Sequence, residues 1–287
     1  MSPLVVLLVV AAGLAHAAWN LVVKRAALSG PAFVWLSAVA SAVVLLPVGV
    51  VAAIVEPPSW TALALAAGVS GALHVLYFLS LQAGYRVGDV SVVYPLARGT
   101  GPLLSVLFAI ALFGERPGPV ALLGAAAVVA GVVAIGAAGG RAHWGRVRAG
   151  IAWGLGVGVV IAAYTLWDAR AVTVLALSPI LLNAGTSAAQ ALLLAPYAVR
   201  RRDAVRDVLR RHRWDVLAVG VLSPLSYILV LFAMRLAPVS VVAPARELSV
   251  VFVALAGWLL FREPHPGPRL AGAAVVVAGV ALLAVSR

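Results

Sequence analysis

Val90–Val133 reads VSVVYPLARGTGPLLSVLFAIALFGERPGPVALLGAAAVVAGVV, and Val239–Leu282 reads VSVVAPARELSVVFVALAGWLLFREPHPGPRLAGAAVVVAGVAL. Both open on Val-Ser-Val-Val and carry a proline and an arginine inside an apolar run: Pro95 and Arg98 in the first, Pro244 and Arg246 in the second. Both then reach a glutamate turn (Glu115, Glu263), a Gly-Pro pair (Gly118-Pro119, Gly267-Pro268) and two spaced glycines (Gly124 and Gly131, Gly272 and Gly279). The offset is 149 up to the proline and mostly 148 from the arginine onward, so the second copy lacks one residue between them. The chain is an internal duplication, divided as residues 1–140 and 141–287. Its function is expected where the two copies meet.

The apolar blocks around these copies decide the fold class. The 287 residues are 64% hydrophobic and only 10% charged, where a soluble domain keeps about 25% charged. The blocks approach the ~20 residues that cross ~30 Å of hydrocarbon at 1.5 Å per residue. Lipid offers the backbone no partners, so such blocks must be helices. We expect an all-α membrane protein with ten transmembrane helices: residues 3–23, 31–54, 60–83, 90–113, 118–138, 149–170, 178–199, 215–234, 239–261 and 267–285. Turn residues mark the breaks: Ser29-Gly30-Pro31, Pro57-Pro58-Ser59, Pro117-Gly118-Pro119, Gly139-Gly140 and Pro264-His265-Pro266. Asp89 reads as an N-cap of the fourth helix. Five spans per copy is an odd number, so the copies are expected as two inverted five-helix repeats, with a site near the midplane between them.

A net charge of +12 suggests nucleic acid until the basic residues are placed. They sit in the short connections. Fifteen Lys and Arg follow the odd-numbered spans and four follow the even-numbered ones. That bias puts both termini outside a plasma membrane and makes the lipid bilayer, not nucleic acid, the partner. Arg200–Trp214, RRRDAVRDVLRRHRW, reads as a topology signal touching anionic headgroups, with an amphipathic membrane-surface helix as the alternative. Ala15-His16-Ala17 looks like a signal-peptidase site, but no basic segment precedes it and the run has span length, so it is expected to stay as the first helix.

Three stretches carry a family resemblance: AHAAWNLVVKRA (Ala15–Ala26), LFGERPGPVALLGAAAVVAGVV (Leu112–Val133) and LLFREPHPGPRLAGAAVVVAGVAL (Leu259–Leu282). The chain resembles EamA-type members of the drug/metabolite transporter superfamily over nearly its whole length. The resemblance implies small organic solutes, no ATP hydrolysis, and a cavity lined by helices 1, 3, 4, 6, 8 and 9. Members are usually drawn with both termini in the cytoplasm; the charge bias here points the other way.

The residues themselves suggest what the cavity would hold. Arg98 and Arg246 each lie roughly 10–12 Å below the surface from which their helix starts, at 1.5 Å per residue. Two guanidiniums at that depth are costly unless paired or hydrated. A guanidinium grips a carboxylate or phosphate through two parallel hydrogen bonds, so an anionic or zwitterionic substrate is expected. Internal pairing with Glu247 or Asp168 is the alternative. Trp19 and Asn20 align with Tyr164 and Thr165 at offset 145, giving each copy an aromatic beside a polar side chain. Tyr94, His74, Tyr77 and Tyr227 complete the candidate substrate-binding set, with Glu247 as a candidate proton-coupling group or arginine partner. Asp168, near its helix end, is expected to be solvated.

Pro95, Gly99, Gly101 and Pro102 lie within eight residues, so helix 4 is expected to be bent or partly unwound there and to act as the moving part. Pro244 in helix 9 should be the milder hinge. Gly124, Gly131, Gly272 and Gly279 should let helices 5 and 10 approach their neighbours closely. No cofactor is called for. Cysteine is absent, which excludes thiolate metal sites, and no metal set is expected. A primary pump would need GxxxxGK[ST], which is also absent. An enzyme would want partners in register for His16 and His74, and none are present. The expected protein is therefore a secondary transporter of a small organic metabolite. An exporter of amphipathic or cationic drugs, or a membrane scaffold, is the alternative. Oligomeric state is not legible.

Overall fold

The computed structural model describes residues 1–25, 30–88, 90–137, 144–261 and 266–286. Asp89, Glu263, Ser29, Gly139-Gly140 and Pro264-His265 fall outside them, so the N-cap, the second glutamate turn, the Gly139-Gly140 break and parts of two others do too. The described residues form eleven helices with no strand. They are α1 (Pro3–Arg25), α2 (Pro31–Val55), α3 (Trp60–Val87), α4 (Val90–Phe113), α5 (Pro119–Ala137), α6 (Trp144–Thr173), α7 (Pro179–Arg200), α8 (Arg202–Leu236), α9 (Val239–Ala245), α10 (Leu248–Phe261) and α11 (Pro266–Val285). Proline opens α2 and α7 at a position where its missing N–H has no helical partner to lose. Ser59 caps α3 by accepting from the Ala62 N–H at 3.4 Å.

Eight stretches are long and apolar enough to cross a membrane, one of them running from α9 into α10 (Val239–Ala256), and α5 adds a shorter apolar helix. Leu7, Val43, Ile54, Leu123 and Leu192 are largely exposed on the outside of the bundle, as lipid-facing side chains should be.

The helix packing carries the duplication into three dimensions. α5 packs on α11 and α2 on α7; α1 packs on α8 and α10; α6 packs on α3 and α4; α3 meets α7, and α8 meets α2. Exchanging α1 with α6, α2 with α7, α3 with α8, α4 with α9–α10 and α5 with α11 leaves this set unchanged. The α5–α11 crossing is reciprocal. A Cβ on Gly131 would lie 2.7 Å from the Gly272 carbonyl, and one on Gly279 would lie 2.7 Å from the Gly124 carbonyl. Gly124 thus faces Gly279 and Gly131 faces Gly272, so the equivalent helices run antiparallel.

Two expectations need correction. Helix 4 is not unwound: α4 runs without interruption from Val90 to Phe113 through Pro95 and Pro102. Its glycines are close-packing positions, because a Cβ on Gly101 would meet Ile161 of α6 at 2.6 Å and one on Gly99 would meet Val133 of α5 at 2.9 Å. Neighbours pressed this closely hold the helix against its own weak composition. The break lies in the second copy, where α9 stops at Ala245 and α10 starts at Leu248. There the Glu247, Ser249 and Val250 N–H groups bond back only three residues, to Pro244, Arg246 and Glu247, a tighter winding than an α-helix.

The second concerns Arg200–Trp214, which is helical, as the amphipathic-helix alternative has it. It forms the end of α7 and the start of α8, kinked at His212 (φ −131°, ψ 26°). Val205 and Val208 pack on a small core of Phe33, Leu36, Val216 and Val219, while its arginines and Trp214 stay exposed.

The main core fills one end of the bundle and continues as a strip along α5 and α11, from Ala121 to Ile135 and from Ala273 to Leu283. It gathers Val5 and Val9 of α1, Ala66 of α3, Val106 and Ala109 of α4, Ala169 and Val172 of α6, and Leu231 and Ala233 of α8 with Val242 of α9. The opposite end, where α1 and α3 finish and α2, α4 and α8 enter the bundle, holds a cavity.

Candidate functional site

The cavity measures about 460 Å³ and is walled by side chains of both copies. α1 contributes His16, Trp19 and Asn20; α3 contributes His74 and Tyr77; α4 contributes Tyr94 and Arg98. From the second copy come Tyr164 of α6, Tyr227 of α8, and Arg246 and Ser249 at the break in helix 9. Nine of the ten binding residues expected from sequence therefore line one cavity. The tenth, Glu247, lies behind its wall at 1% exposure.

The charges sit as a buried triad. Arg98 Nη2 lies 3.0 Å from Glu247 Oε2, and Arg246 Nε lies 3.5 Å from Glu247 Oε1. Both pairs are ionic contacts without the alignment of a hydrogen bond, since neither carboxylate oxygen has a hydrogen-bond partner. Arg98 Nη2 also donates to Ser249 Oγ at 3.1 Å. One carboxylate thus serves two guanidiniums and leaves an excess positive charge. Arg246 is the less satisfied arginine: its Nε and Nη2 have no hydrogen-bond partner, and its guanidinium stands 5.9 Å from the centre of the Tyr164 ring. The break in helix 9 makes this possible. Neighbouring residues on a regular helix point about 100° apart, and the tight turn lets Glu247 meet Arg98 while Arg246 reaches the cavity.

An aromatic cluster forms the rest of the wall. His74 lies against Tyr164 with ring centres 4.3 Å apart, and Tyr227 meets His74 edge-on at 5.4 Å. Tyr77 and Tyr227 each present an edge to Tyr164, at 5.8 and 6.1 Å, a favoured geometry for aromatic pairs. His74 Nδ1 lies 2.9 Å from the Ser70 carbonyl. A carbonyl only accepts, so Nδ1 carries the hydrogen of that bond.

Asp168 corrects a further expectation. It is fully buried, not solvated, and Tyr227 Oη donates to its Oδ2 at 2.6 Å. α6 continues to Thr173, so Asp168 stands further inside than the expected helix end implied. Its role here is to fix the Tyr227 ring against the cavity.

Sequence reasoning missed two contributors. α2 and α7 also line the cavity, through Ser37 and Ser41 and through Asn183, Thr186, Ser187 and Gln190, whereas the resemblance implied helices 1, 3, 4, 6, 8 and 9 alone. The signal was present in the i, i+3, i+4, i+7 spacing of the four α7 residues, which places them on one helix face.

The packed end is secured by Glu115. Its two carboxylate oxygens accept from the Val239 and Ser240 N–H groups, each at 2.9 Å. A carboxylate at the start of a helix satisfies orphan N–H groups and meets the positive end of the helix dipole. The glutamate turn of the first copy thereby caps α9 of the second. Glu115→Ala is expected to lower thermal stability by about 1.5–3 kcal/mol, the worth of hydrogen bonds to a charged group. Glu115→Gln should cost less, because one oxygen still accepts. Melting in detergent checks both. The chain has no cysteine, so a single Pro238→Cys reporter can also be followed, and it should label faster in Glu115→Ala than in the parent.

A bundle of membrane-length helices, packed at one end and hollow at the other around a charged, aromatic-walled cavity, is the architecture of a multi-pass membrane transporter. The EamA-like transporter family model matches residues 3–137 and again 148–285; the chain belongs to that family, within the drug/metabolite transporter superfamily. No curated protein matches the chain significantly. Among solved structures, a crystal structure described only as that of a protein aligns with a TM-score of 0.77 at 20% identity, covering 97% of this chain and 95% of that one. At that identity the likeness concerns the fold alone.

Proposed function

We propose that the protein is a secondary transporter that carries a small organic anion or zwitterion across the plasma membrane by alternating access. In this reading α5 and α7 also span, giving ten spans as two inverted repeats, 1–140 and 141–287. The termini lie outside and the hollow end faces the cytoplasm. The observation that carries the reading is Arg246, a buried guanidinium with unpartnered N–H groups at the wall of a cavity that closes at one end. An anionic group would supply the missing acceptors and balance the charge left over by Glu247. The aromatic cluster would hold the substrate's body. Cationic cargo fits poorly: two guanidiniums already stand at the cavity, and one of them, Arg246, lies over the Tyr164 ring.

Two measurements test this. In proteoliposomes, counterflow of a labelled substrate found by screening carboxylates and zwitterions should be saturable and independent of ATP; a protein that binds such compounds but never exchanges them is not a transporter. Topology is read separately. A reporter after Arg287 should be outside and one within Arg200–Arg213 should be cytoplasmic, as the fifteen-to-four split of Lys and Arg requires. The reverse pattern would turn the cavity to face outward.

A further inference from the structure

α7 carries more polar groups toward the cavity than any account of anion binding needs. Asn183, Thr186, Ser187 and Gln190 follow one another on a single face and all line the cavity. Seven residues separate the first from the last, a span of about 10 Å at 1.5 Å per residue. The row lies level with the aromatic cluster, because Gly71 of α3, one turn before His74, packs on Thr186 and Ala189.

These groups are not explained by the fold. A hydroxyl in an apolar interior normally finds a carbonyl, as Ser41 does by donating to Gly220 at 3.0 Å. Thr186 Oγ1 and Ser37 Oγ are buried with no partner, although both residues line the cavity. Among the described residues, no hydrogen bond holds the Asn183 or Gln190 amide. Two unpartnered hydroxyls inside a membrane bundle are expensive, and a patch that sets them beside two amides open to the cavity is built for something that completes it.

We propose that the α7 row, with Ser37 of α2, is a second subsite that takes the hydroxyl- or carboxamide-bearing part of the substrate. It rests on the reading that Arg246 holds the anionic group. The substrate class is then narrower than any small anion. It is an organic acid or zwitterion whose body donates and accepts hydrogen bonds along its length, and an apolar-bodied acid of the same size is rejected. The discrimination has a physical source. Side chains that must leave water or stay unpaired penalise a ligand that cannot bond to them far more than an apolar wall penalises an added hydroxyl.

The test uses matched pairs on the purified full-length protein. Gluconate and hexanoate share a carboxylate and carbon count and differ in hydroxyls. Glutamine and norleucine share the zwitterion and differ in the carboxamide. Ligand-dependent thermal stabilisation reads binding to the folded state. The polar member of at least one pair should bind 10-fold or more tighter than its partner. Asn183→Leu/Gln190→Leu should abolish that margin by weakening the polar member alone.

Thr186→Val is the second variant and keeps its shape. It should raise the melting temperature of the free protein, since it removes an unpartnered hydroxyl, and should weaken the polar ligand several-fold. Equal binding within both pairs, stabilisation by neither pair, or row variants that leave the margin intact would overturn the subsite. Arg246→Ala separates the two readings. Hexanoate or norleucine binding that depends on Arg246 and ignores the row refutes the row alone. Gluconate or glutamine binding that depends on the row and survives Arg246→Ala refutes the anion site and leaves the row standing.

Discussion

Arg246→Ala is expected to remove most transport of an anionic substrate and to leave the protein folded. The guanidinium makes few bonds within the protein: its Nε and Nη2 are unpartnered and its approach to Glu247 is 3.5 Å. Truncation therefore breaks little in the free state and removes the charge-assisted bonds of the bound one. Hydrogen bonds to charged groups are worth about 1.5–3 kcal/mol, so transport efficiency should fall roughly 10- to 150-fold. Arg246→Lys should recover only part, because an ammonium lacks the planar fork.

Arg98→Ala should behave differently. Arg98 is the close partner of Glu247, which is 1% exposed, and removing one member of a buried pair costs about 3–5 kcal/mol. That variant should lose stability and function together, and Arg98→Met/Arg246→Met/Glu247→Met, which removes the whole triad, should regain much of the stability. Transport with melting curves on the same preparations checks the split. Normal anion transport by Arg246→Ala would make the arginine structural and end the anion reading.

The largest effect on folding is expected at the α5–α11 crossing. Gly131→Val would put a Cβ 2.7 Å from both the Gly272 carbonyl and the Val276 side chain. The obstruction is backbone, which cannot step aside, so the two helices must part. In lipid no hydrophobic force holds helices together, and packing between small residues is what remains to be lost. The cost should reach or pass the upper end of the roughly 1–3 kcal/mol typical of overpacking. It should appear as lost monodispersity and a lower melting temperature.

Gly68→Ala is the control. A Cβ there meets nothing within 4 Å, and replacing a helical glycine by alanine stabilises by roughly 0.4–1 kcal/mol. If Gly131→Val melts like Gly68→Ala, the crossing does not hold the halves together.

The sequence by itself determined the helices, the duplication and most of the site's inventory. Apolar blocks of membrane length leave the backbone no alternative to helix, and a repeated pattern must fold into repeated elements. The spaced glycines of α5 and α11 announced close approach, and Arg98, Arg246, His74, Tyr77, Tyr164 and Tyr227 stood out because polar and aromatic groups are rare at that depth. What sequence could not weigh was one segment against its neighbours. Pro95, Gly99, Gly101 and Pro102 look like the weak place in the chain. Ile161 and Val133 press against those glycines and keep α4 whole. The second copy looks the better helix former there, yet it breaks after Ala245, where Glu247 is drawn to Arg98. Asp168 looked solvated until α6 extended past it and Tyr227 bonded to it. The α7 row was readable as a helix face, but a face has no meaning until the bundle decides what it meets. Local propensity is worth a few tenths to about 1 kcal/mol per residue, whereas a buried ion pair or a backbone collision is worth several times that. Where the two disagreed, the tertiary contacts prevailed.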